Sequence, residues 1–301
     1  NSIEAITGKR PVFYDIDVCD SNALKKLFEQ QKKIDAVIHF AAYKAVAESV
    51  KQPLKYFQNN LGSLLTVLDC MQISECCNLV FSSSATVYGN PDILPVTEST
   101  PLKKALSGYG STKQMGEDIL EKMTSTGMIK AISLRYFNPV GAHESALLGE
   151  LPSGIPNNLM PFVTQTAIGK LKELTVFGDD YETKDGFCVR DYIHVVDLAK
   201  AHVKACDRMT GDDEIPAYDV FNIGTGTGLS VMELIHTFEE QNNLKLNYTI
   251  GARRAGDAPA IYASVEKANN ILQWKSEKNI VDMVKDAWRW EMALHLSLIH
   301  I

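Results

Sequence analysis

Tyr109 and Lys113 stand four residues apart in Tyr109-Gly-Ser-Thr-Lys113, and Ser82-Ser-Ser84 closes an apolar run that precedes them. Four positions apart on a helix is one face, so phenol and ammonium become neighbours. A nearby cation favours the phenolate and lowers the tyrosine pKa. A tyrosine tuned this way can act as a general base near neutral pH. A serine at the end of an adjacent strand can hydrogen-bond the same substrate hydroxyl. Together the three groups can take the proton of an alcohol while its carbon gives up a hydride. The Tyr/Lys spacing alone occurs in many helices by chance, with the lysine in water; the strand-end Ser84 is what makes it a constellation.

The flanking pattern predicts the elements that hold these groups. Strand-like segments at residues 10–17, 34–40, 78–84 and 131–137 alternate with helical ones at 23–31, 53–71 and 109–123. Asp20 or Ser21 is the expected cap of the first helix. The continuous apolar run at 34–40 reads as a strand buried on both faces of a parallel sheet. This rhythm gives an α/β class with a doubly wound parallel sheet. Beyond residue 138 the rhythm loosens. A Gly/Pro/Ser/Asn-rich loop is expected at 141–158, followed by helices at 161–169 and 196–209 and strands at 174–177, 221–223 and 246–250. Ser230 and Glu233 have the spacing of a capping box that opens a helix running to residue 242. The expected division is a cofactor domain over 1–140 and a smaller, mixed α/β substrate domain over 141–294, with some segments returning to the sheet. The apolar tail at 295–301 reads as foreign to the rest.

The chain has 301 residues, 45% hydrophobic and 22% charged, with a formal net charge of −7. That balance is globular and lacks the basic footprint of a nucleic-acid partner. No apolar run reaches the roughly 18 residues of a membrane span, and no secretory signal opens the chain. Cys19, Cys70, Cys76, Cys77, Cys188 and Cys206 form no C-x-x-C pair and have no histidine at zinc spacing, so they read as reduced thiols of a cytoplasmic protein without a metal. His39 inside a strand and His194 at a strand end read as structural.

Several longer segments carry a resemblance. They are Val37-Ile-His-Phe-Ala-Ala-Tyr-Lys-Ala-Val46, Phe81-Ser-Ser-Ser-Ala-Thr-Val-Tyr-Gly89, Leu134-Arg-Tyr-Phe-Asn-Pro-Val-Gly-Ala-His143, Gly154-Ile-Pro-Asn-Asn-Leu-Met-Pro161, Val189-Arg-Asp-Tyr-Ile-His194 and Arg253-Arg-Ala-Gly-Asp257. From about residue 11 to residue 292 the chain resembles the extended short-chain dehydrogenase/reductases, and within them the UDP-galactose 4-epimerase family. The resemblance implies a Rossmann-like fold, tightly held NAD, a UDP-sugar substrate and a homodimer. It implies that Tyr109, aided by Lys113 and Ser84, takes the proton of the sugar O4 as C4 yields a hydride. The 4-keto sugar then turns within the site and is reduced on its other face. Dehydratases of the same superfamily carry an acidic pair where Ala85 and Thr86 stand here, which disfavours dehydration.

By position, the implied cofactor residues are Asp17, Val18, Phe40, Ala41, Ala42, Lys44, Asn60, Ser84, Tyr109, Lys113 and Phe137. The implied substrate residues are Ser84, Tyr109, Asn138, Asn158, Leu159, Phe177, Arg190, Arg254 and Asp257. Of the adjacent Arg253 and Arg254, the resemblance implies Arg254, whose spacing to Asp257 fits the family. Each has a plainer reading. Asp17 can cap a turn, Asn60 can hold a loop, Arg190 can pair with Asp191 on the surface, and Phe137 and Phe177 can be core. Ile261 stands where relatives vary between bulky and small residues, which leaves N-acetylated sugars open. An epimerase of UDP-GlcNAc or a UDP-uronic acid, or a sensor of NAD or nucleotide sugars without catalysis, are the alternatives. The dimer helices implied are those at 53–71 and 109–123, with Leu64, Leu68, Met115 and Ile119 on their non-catalytic faces, residues that read equally as ordinary core. No glycine-rich strand–turn–helix opens the chain, so the expected sheet lacks its first strand, and weak NAD binding and low activity are expected of the chain as it stands.

Overall fold

Apolar side chains on both faces of residues 78–82 and 130–136 make these the inner strands of a parallel sheet. The computed structural model describes residues 2–152, 154, 156–254 and 257–299. In chain order its strands are β1 (Val37–His39), β2 (Asn78–Ser82), β3 (Lys130–Tyr136), β4 (Asn138–Val140), β5 (Leu174–Phe177), β6 (Val189–His194), β7 (Tyr218–Ile223), β8 (Gly228–Ser230), β9 (Tyr248–Gly251) and β10 (Ala260–Ile261). The helices are α1 (Ser2–Thr7), α2 (Ser21–Gln30), α3 (Val46–Lys51), α4 (Pro53–Tyr56), α5 (Gly62–Ile73), α6 (Gly108–Thr124), α7 (Leu159–Ala167), α8 (Val195–Thr210), α9 (Val231–Asn242), α10 (Glu266–Asn270) and α11 (Ile280–Ile299).

The main sheet has the order β1-β2-β3-β7, all parallel. Alternation along its strands splits the core in two. Leu79, Phe81 and Ala131 face Leu24 and Phe28 of α2, Leu64 and Leu68 of α5 and Leu120 of α6. Val80, Ile132, Leu134 and Phe221 face Leu198, Ala201 and Ala205 of α8 and Ala268 of α10. Helices on both faces make the sheet doubly wound, as the α/β rhythm predicts. A second sheet, β10-β6-β4 with β8 antiparallel to β6, and the pair β5-β9 lie in the later half. There α7, α9 and α11 close over Val140, Val176 and Tyr192.

Three expectations need correction. Residues 10–17 form no strand; Val12 and Phe13 are 77% and 82% exposed. Among the described residues nothing pairs with the free edge of β1, so this segment has no ladder to join. For the same reason β1 is shorter than 34–40 and is not buried on both faces: Ile38 and Phe40 are exposed while His39 is buried. The helix expected at 53–71 is three pieces, α4, a π turn over Phe57–Leu61, and α5. Of the expected tail, residues up to 299 continue α11, and His300 and Ile301 lie outside the described residues.

The capping box at α9 is present: the Ser230 hydroxyl accepts from Glu233 N at 3.0 Å, and Glu233 Oε2 accepts from Ser230 N at 2.7 Å. Ser230→Ala is expected to lower stability by about 1 kcal/mol, read as a lower urea midpoint at unchanged slope.

Candidate active site

The Tyr/Lys pair owes its place to the start of α6. The Ser107 hydroxyl caps the helix by accepting from Gly110 N at 3.1 Å, so Tyr109 sits in the first turn and Lys113 one turn on. Close approach fixes two glycines. A Cβ on Gly108 would stand 2.6 Å from Ser49 O, and one on Gly116 would stand 2.7 Å from the Phe81 ring. Gly116 thus lets α6 lie directly on β2 and brings Lys113 over the strand end.

Tyr109 and Lys113 are 8% and 3% exposed. The Lys113 ammonium donates to Ser82 O at 2.5 Å and lies 4.8 Å from the Phe81 ring centroid and 5.7 Å from that of Tyr109. Burial brings its pKa down to about 8, and Glu117 opposes that shift. Burial also dominates the tyrosine, whose pKa is pushed up, with Ser84 pulling the other way. The spacing predicts a phenol tuned down by the ammonium; in this structure desolvation moves it the other way. Burial also lowers His39 to about 4, with Lys113 adding to the effect, so His39 is neutral in the core.

Each serine of the strand end has its own anchor. Ser82 Oγ meets Tyr136 OH at 2.6 Å, and Ser83 Oγ donates to Glu117 Oε1 at 2.5 Å. Ser84 is extended and caps the short 3₁₀ turn Ala85–Tyr88, accepting from Thr86 N at 3.2 Å and Thr86 Oγ1 at 3.0 Å. Ala85 and Thr86, in place of an acidic pair, begin that turn.

The other positions divide. Asn60 lies in the π turn, and its side chain is committed internally: Oδ1 accepts from Tyr43 N at 2.8 Å, and Nδ2 donates to Tyr43 O at 3.0 Å and Thr112 Oγ1 at 3.1 Å. It clamps the loop after β1, which carries Phe40, Ala41, Ala42 and Lys44, against α6. Asp17 is exposed and accepts from Cys19 N at 2.8 Å, the turn-capping arrangement, while Val18 packs on the α2 core. Cys19 Sγ lies 3.4 Å from Asn59 O, which ties that turn to the π turn. Phe137 is core, packed with Tyr88, Val96 and Ile261. Asn138 opens β4 with its side chain exposed.

A second cluster gathers on the later half. Arg254 donates twice to Asp257, at 3.1 and 3.0 Å, and its guanidinium lies 5.6 Å from the ring centroid of the exposed Phe177. Arg190 lies 3.6 Å from the same Asp257 and donates to Ala258 O at 2.8 Å. Arg253 turns away to Asp180 and stacks on Tyr181. The Arg190–Asp191 surface pair does not form: Asp191 is fully buried and accepts from Thr225 N and Oγ1, both at 2.7 Å, Gly226 N at 3.1 Å and Ala263 N at 3.2 Å.

One residue that spacing does not reveal connects the two halves. Glu150 Oε1 accepts from Lys44 Nζ at 2.9 Å and from Asn158 Nδ2 at 2.7 Å, and Glu150 O accepts from Trp290 Nε1 at 2.9 Å. Asn158 precedes α7, and Leu159 is the first residue of that helix and packs on its core.

The chain has known relatives. The family model described as GDP-mannose 4,6 dehydratase matches residues 2–287. The UDP-glucose 4-epimerase of Pasteurella multocida is 47% identical over 290 residues, covering 96% of this chain and 85% of the relative. The chain belongs to the UDP-glucose 4-epimerase family. The UDP-glucose 4-epimerase of Bacillus subtilis is also 47% identical, over 292 residues, covering 97% of this chain and 85% of its own length. The crystal structure of UDP-glucose 4-epimerase from Bifidobacterium longum in complex with NAD+ and UDP superposes with a TM-score of 0.92 at 47% identity, covering 97% of this chain and 86% of that one. Its fold is therefore the α/β epimerase fold with a Rossmann-like sheet.

Proposed function

We propose that the chain interconverts UDP-galactose and UDP-glucose by inverting C4 through a 4-keto sugar. The observation that carries this reading is the joint burial of Tyr109, Lys113 and Ser84 where β2 ends against α6. In open parallel sheets, ligands bind beyond the carboxyl ends of the strands. The enzymes of the family to which the chain belongs give the substrate class.

The residues present fit the nicotinamide–ribose half of NAD. Phe40, Ala41 and Ala42 leave β1 at its carboxyl end, and Phe40 is 54% exposed. The Lys113 ammonium has three N–H groups and donates to a single carbonyl of the described residues, Ser82 O. It would hold ribose hydroxyls with the remainder. The hydride accepted from C4 and returned to it is the chemistry NAD supplies when bound. Tyr109 would take the O4 proton at its phenolic oxygen and give it back to the turned sugar. Ser84 would hold O4 against that oxygen. The Lys113 charge stabilises the phenolate form.

Arg190, Arg254 and Asp257 would anchor the nucleotide diphosphate, two guanidinium forks suiting phosphate oxygens. Asn138, Asn158, Leu159 and Phe177 complete the substrate side. In this reading residues 1–140 mainly hold the cofactor and 141–294 mainly the substrate, with β7 returning to the sheet. We further propose a cytoplasmic homodimer that joins through the α4–α5 and α6 surfaces, a role in galactose metabolism, and no nucleic-acid or membrane partner. Leu64 and Leu68 belong to the chain's own core, so the support for that face comes from Leu54, Leu65 and Met115, which are 65%, 53% and 43% exposed. No described helix is long and apolar enough to cross a membrane.

The test is conversion of UDP-galactose to UDP-glucose with added NAD; a folded, NAD-bound protein that leaves UDP-galactose unchanged would overturn the reading. For Arg190→Met, loss of a charge-assisted anchor worth about 1.5–3 kcal/mol is expected to raise KM roughly 10- to 100-fold with little change in kcat, because the contact is the same in ground and transition states.

A further inference from the structure

A buried ionic cluster lies directly behind the Tyr109–Lys113–Ser84 site. Glu117 and Arg135 are 4% and 5% exposed and meet in a bidentate pair, with Arg135 Nε donating to Glu117 Oε1 at 3.0 Å and Nη2 to Oε2 at 2.6 Å. Arg135 Nη1 reaches Tyr88 OH at 3.1 Å, and that phenol donates to Asn222 Oδ1 at 2.6 Å. Ser83 completes the carboxylate shell. A buried ion pair is a poor stabiliser compared with apolar residues of the same volume, so its retention needs another account. Its neighbours supply one. Ser83 is bonded to Ser84 in sequence, and Glu117 follows Lys113 by one helical turn on the same buried face of α6.

We propose that Glu117 is a positioning residue for the reaction: clamped by Arg135, its carboxylate fixes Ser84 through Ser83 and offsets the charge of the Lys113 ammonium. This rests on the epimerase reading of the site. The orientation of the cluster matters. Arg135 is also held by Tyr88 OH and Glu98 O, and Glu117, one helical turn from Lys113, is the charged neighbour that acts on the ammonium. The titratable or charged groups around the Tyr109–Lys113 pair are Glu117 on α6, His39 on β1, Tyr136 and Arg135 on β3, and Tyr56 on α4. His39 is neutral and the tyrosines are held protonated by burial, which leaves Glu117 as the anion among them. Without it, burial acts on Lys113 unopposed, and the ammonium loses its proton at lower pH.

The test is a titration of Lys113 by carbon NMR at Cε in lysine-labelled protein, the resonance being identified by its loss in Lys113→Met. Glu117→Gln keeps the shape and an acceptor for Ser83 but removes the charge. Its Lys113 midpoint is expected to fall by about one pH unit, and the alkaline limb of kcat should move down with it while KM stays fixed. Glu117→Gln combined with Arg135→Met leaves no unpaired buried charge and is read in the same way, so that misfolding of the single variant does not decide the matter. Its midpoint should also lie below that of the unaltered protein. An unchanged Lys113 midpoint in either folded variant overturns the proposal, as does a lower kcat with an unshifted pH profile, which is what a purely structural role would give. If the unaltered protein does not epimerise UDP-galactose but the midpoint still moves, the charge coupling stands and the reading of the reaction falls.

Discussion

Tyr109→Phe is expected to lower kcat for UDP-galactose by about 10³-fold, within the range for losing a positioned general base. The substitution removes one oxygen from a side chain that is otherwise buried, so the α6 turn and its packing should persist. KM should change little, since the diphosphate anchor proposed at Arg190 and Arg254 lies in a different cluster. The thermal midpoint should stay close to that of the unaltered protein, because Ser84, the neighbour that loses the phenol, still accepts from Thr86 N and Thr86 Oγ1. The measurement is steady-state epimerisation with a parallel melt. Retention of more than about a tenth of kcat would assign the proton transfer to another group, and Ser84 would be the first to examine.

Asp191→Ala is expected to be the most damaging single change to stability, costing about 3–5 kcal/mol. Asp191 is fully buried, and three backbone N–H groups, of Thr225, Gly226 and Ala263, donate to it. Alanine leaves all three without an acceptor in the core, and an orphaned buried donor costs far more than a made hydrogen bond returns. Burial raises the carboxyl pKa while these donors hold it down. The loop after β7 and the residues just after β10 would lose their side-chain ties to β6, where Arg190 sits, while β10 keeps its ladder to β6. Urea unfolding reads the loss. Asp191→Asn, which keeps one acceptor oxygen, should cost roughly half as much. A loss below about 1 kcal/mol would mean that water replaces the carboxylate.

The inner strands and most helices were legible because periodicity and burial agree there. The runs at 78–82 and 130–136 are apolar on both faces and lie inside the sheet, and the Ser230/Glu233 box marked α9 to the residue. Edges were not legible. The segment at 10–17 has strand composition but no neighbour to pair with, and composition cannot report a missing ladder. At the site, Tyr109, Lys113 and Ser84 could be read together because their chemistry follows a local spacing on one helix and one strand end. Asn60 was found by position, yet its side chain is committed to Tyr43 and Thr112, an outcome that only tertiary contact decides. Glu150 carried no signal, since Lys44 and Trp290 are distant in sequence and Asn158, eight residues on, is joined to it by the Gly/Pro/Ser/Asn-rich loop. Glu117 did carry one, the four-residue step from Lys113, but on an isolated helix that step reads as an exposed ion pair.

The π turn over Phe57–Leu61 has a consequence for side-chain phase. A π turn spends an extra residue without completing an extra turn, so the helix leaves it rotated by roughly 100° relative to uninterrupted α geometry. Before it, Tyr56 points to the loop, its hydroxyl meeting Ala45 O and Glu48 Oε2 at 2.9 and 2.7 Å; after it, Leu64, Val67 and Leu68 point to the sheet. One continuous rod therefore addresses two partners that a regular helix would have placed on conflicting faces, and Asn60 sits at the change of phase. A chain with one residue fewer here could keep its hydrophobic composition and its helix, and still aim every downstream side chain of α5 at the wrong neighbour.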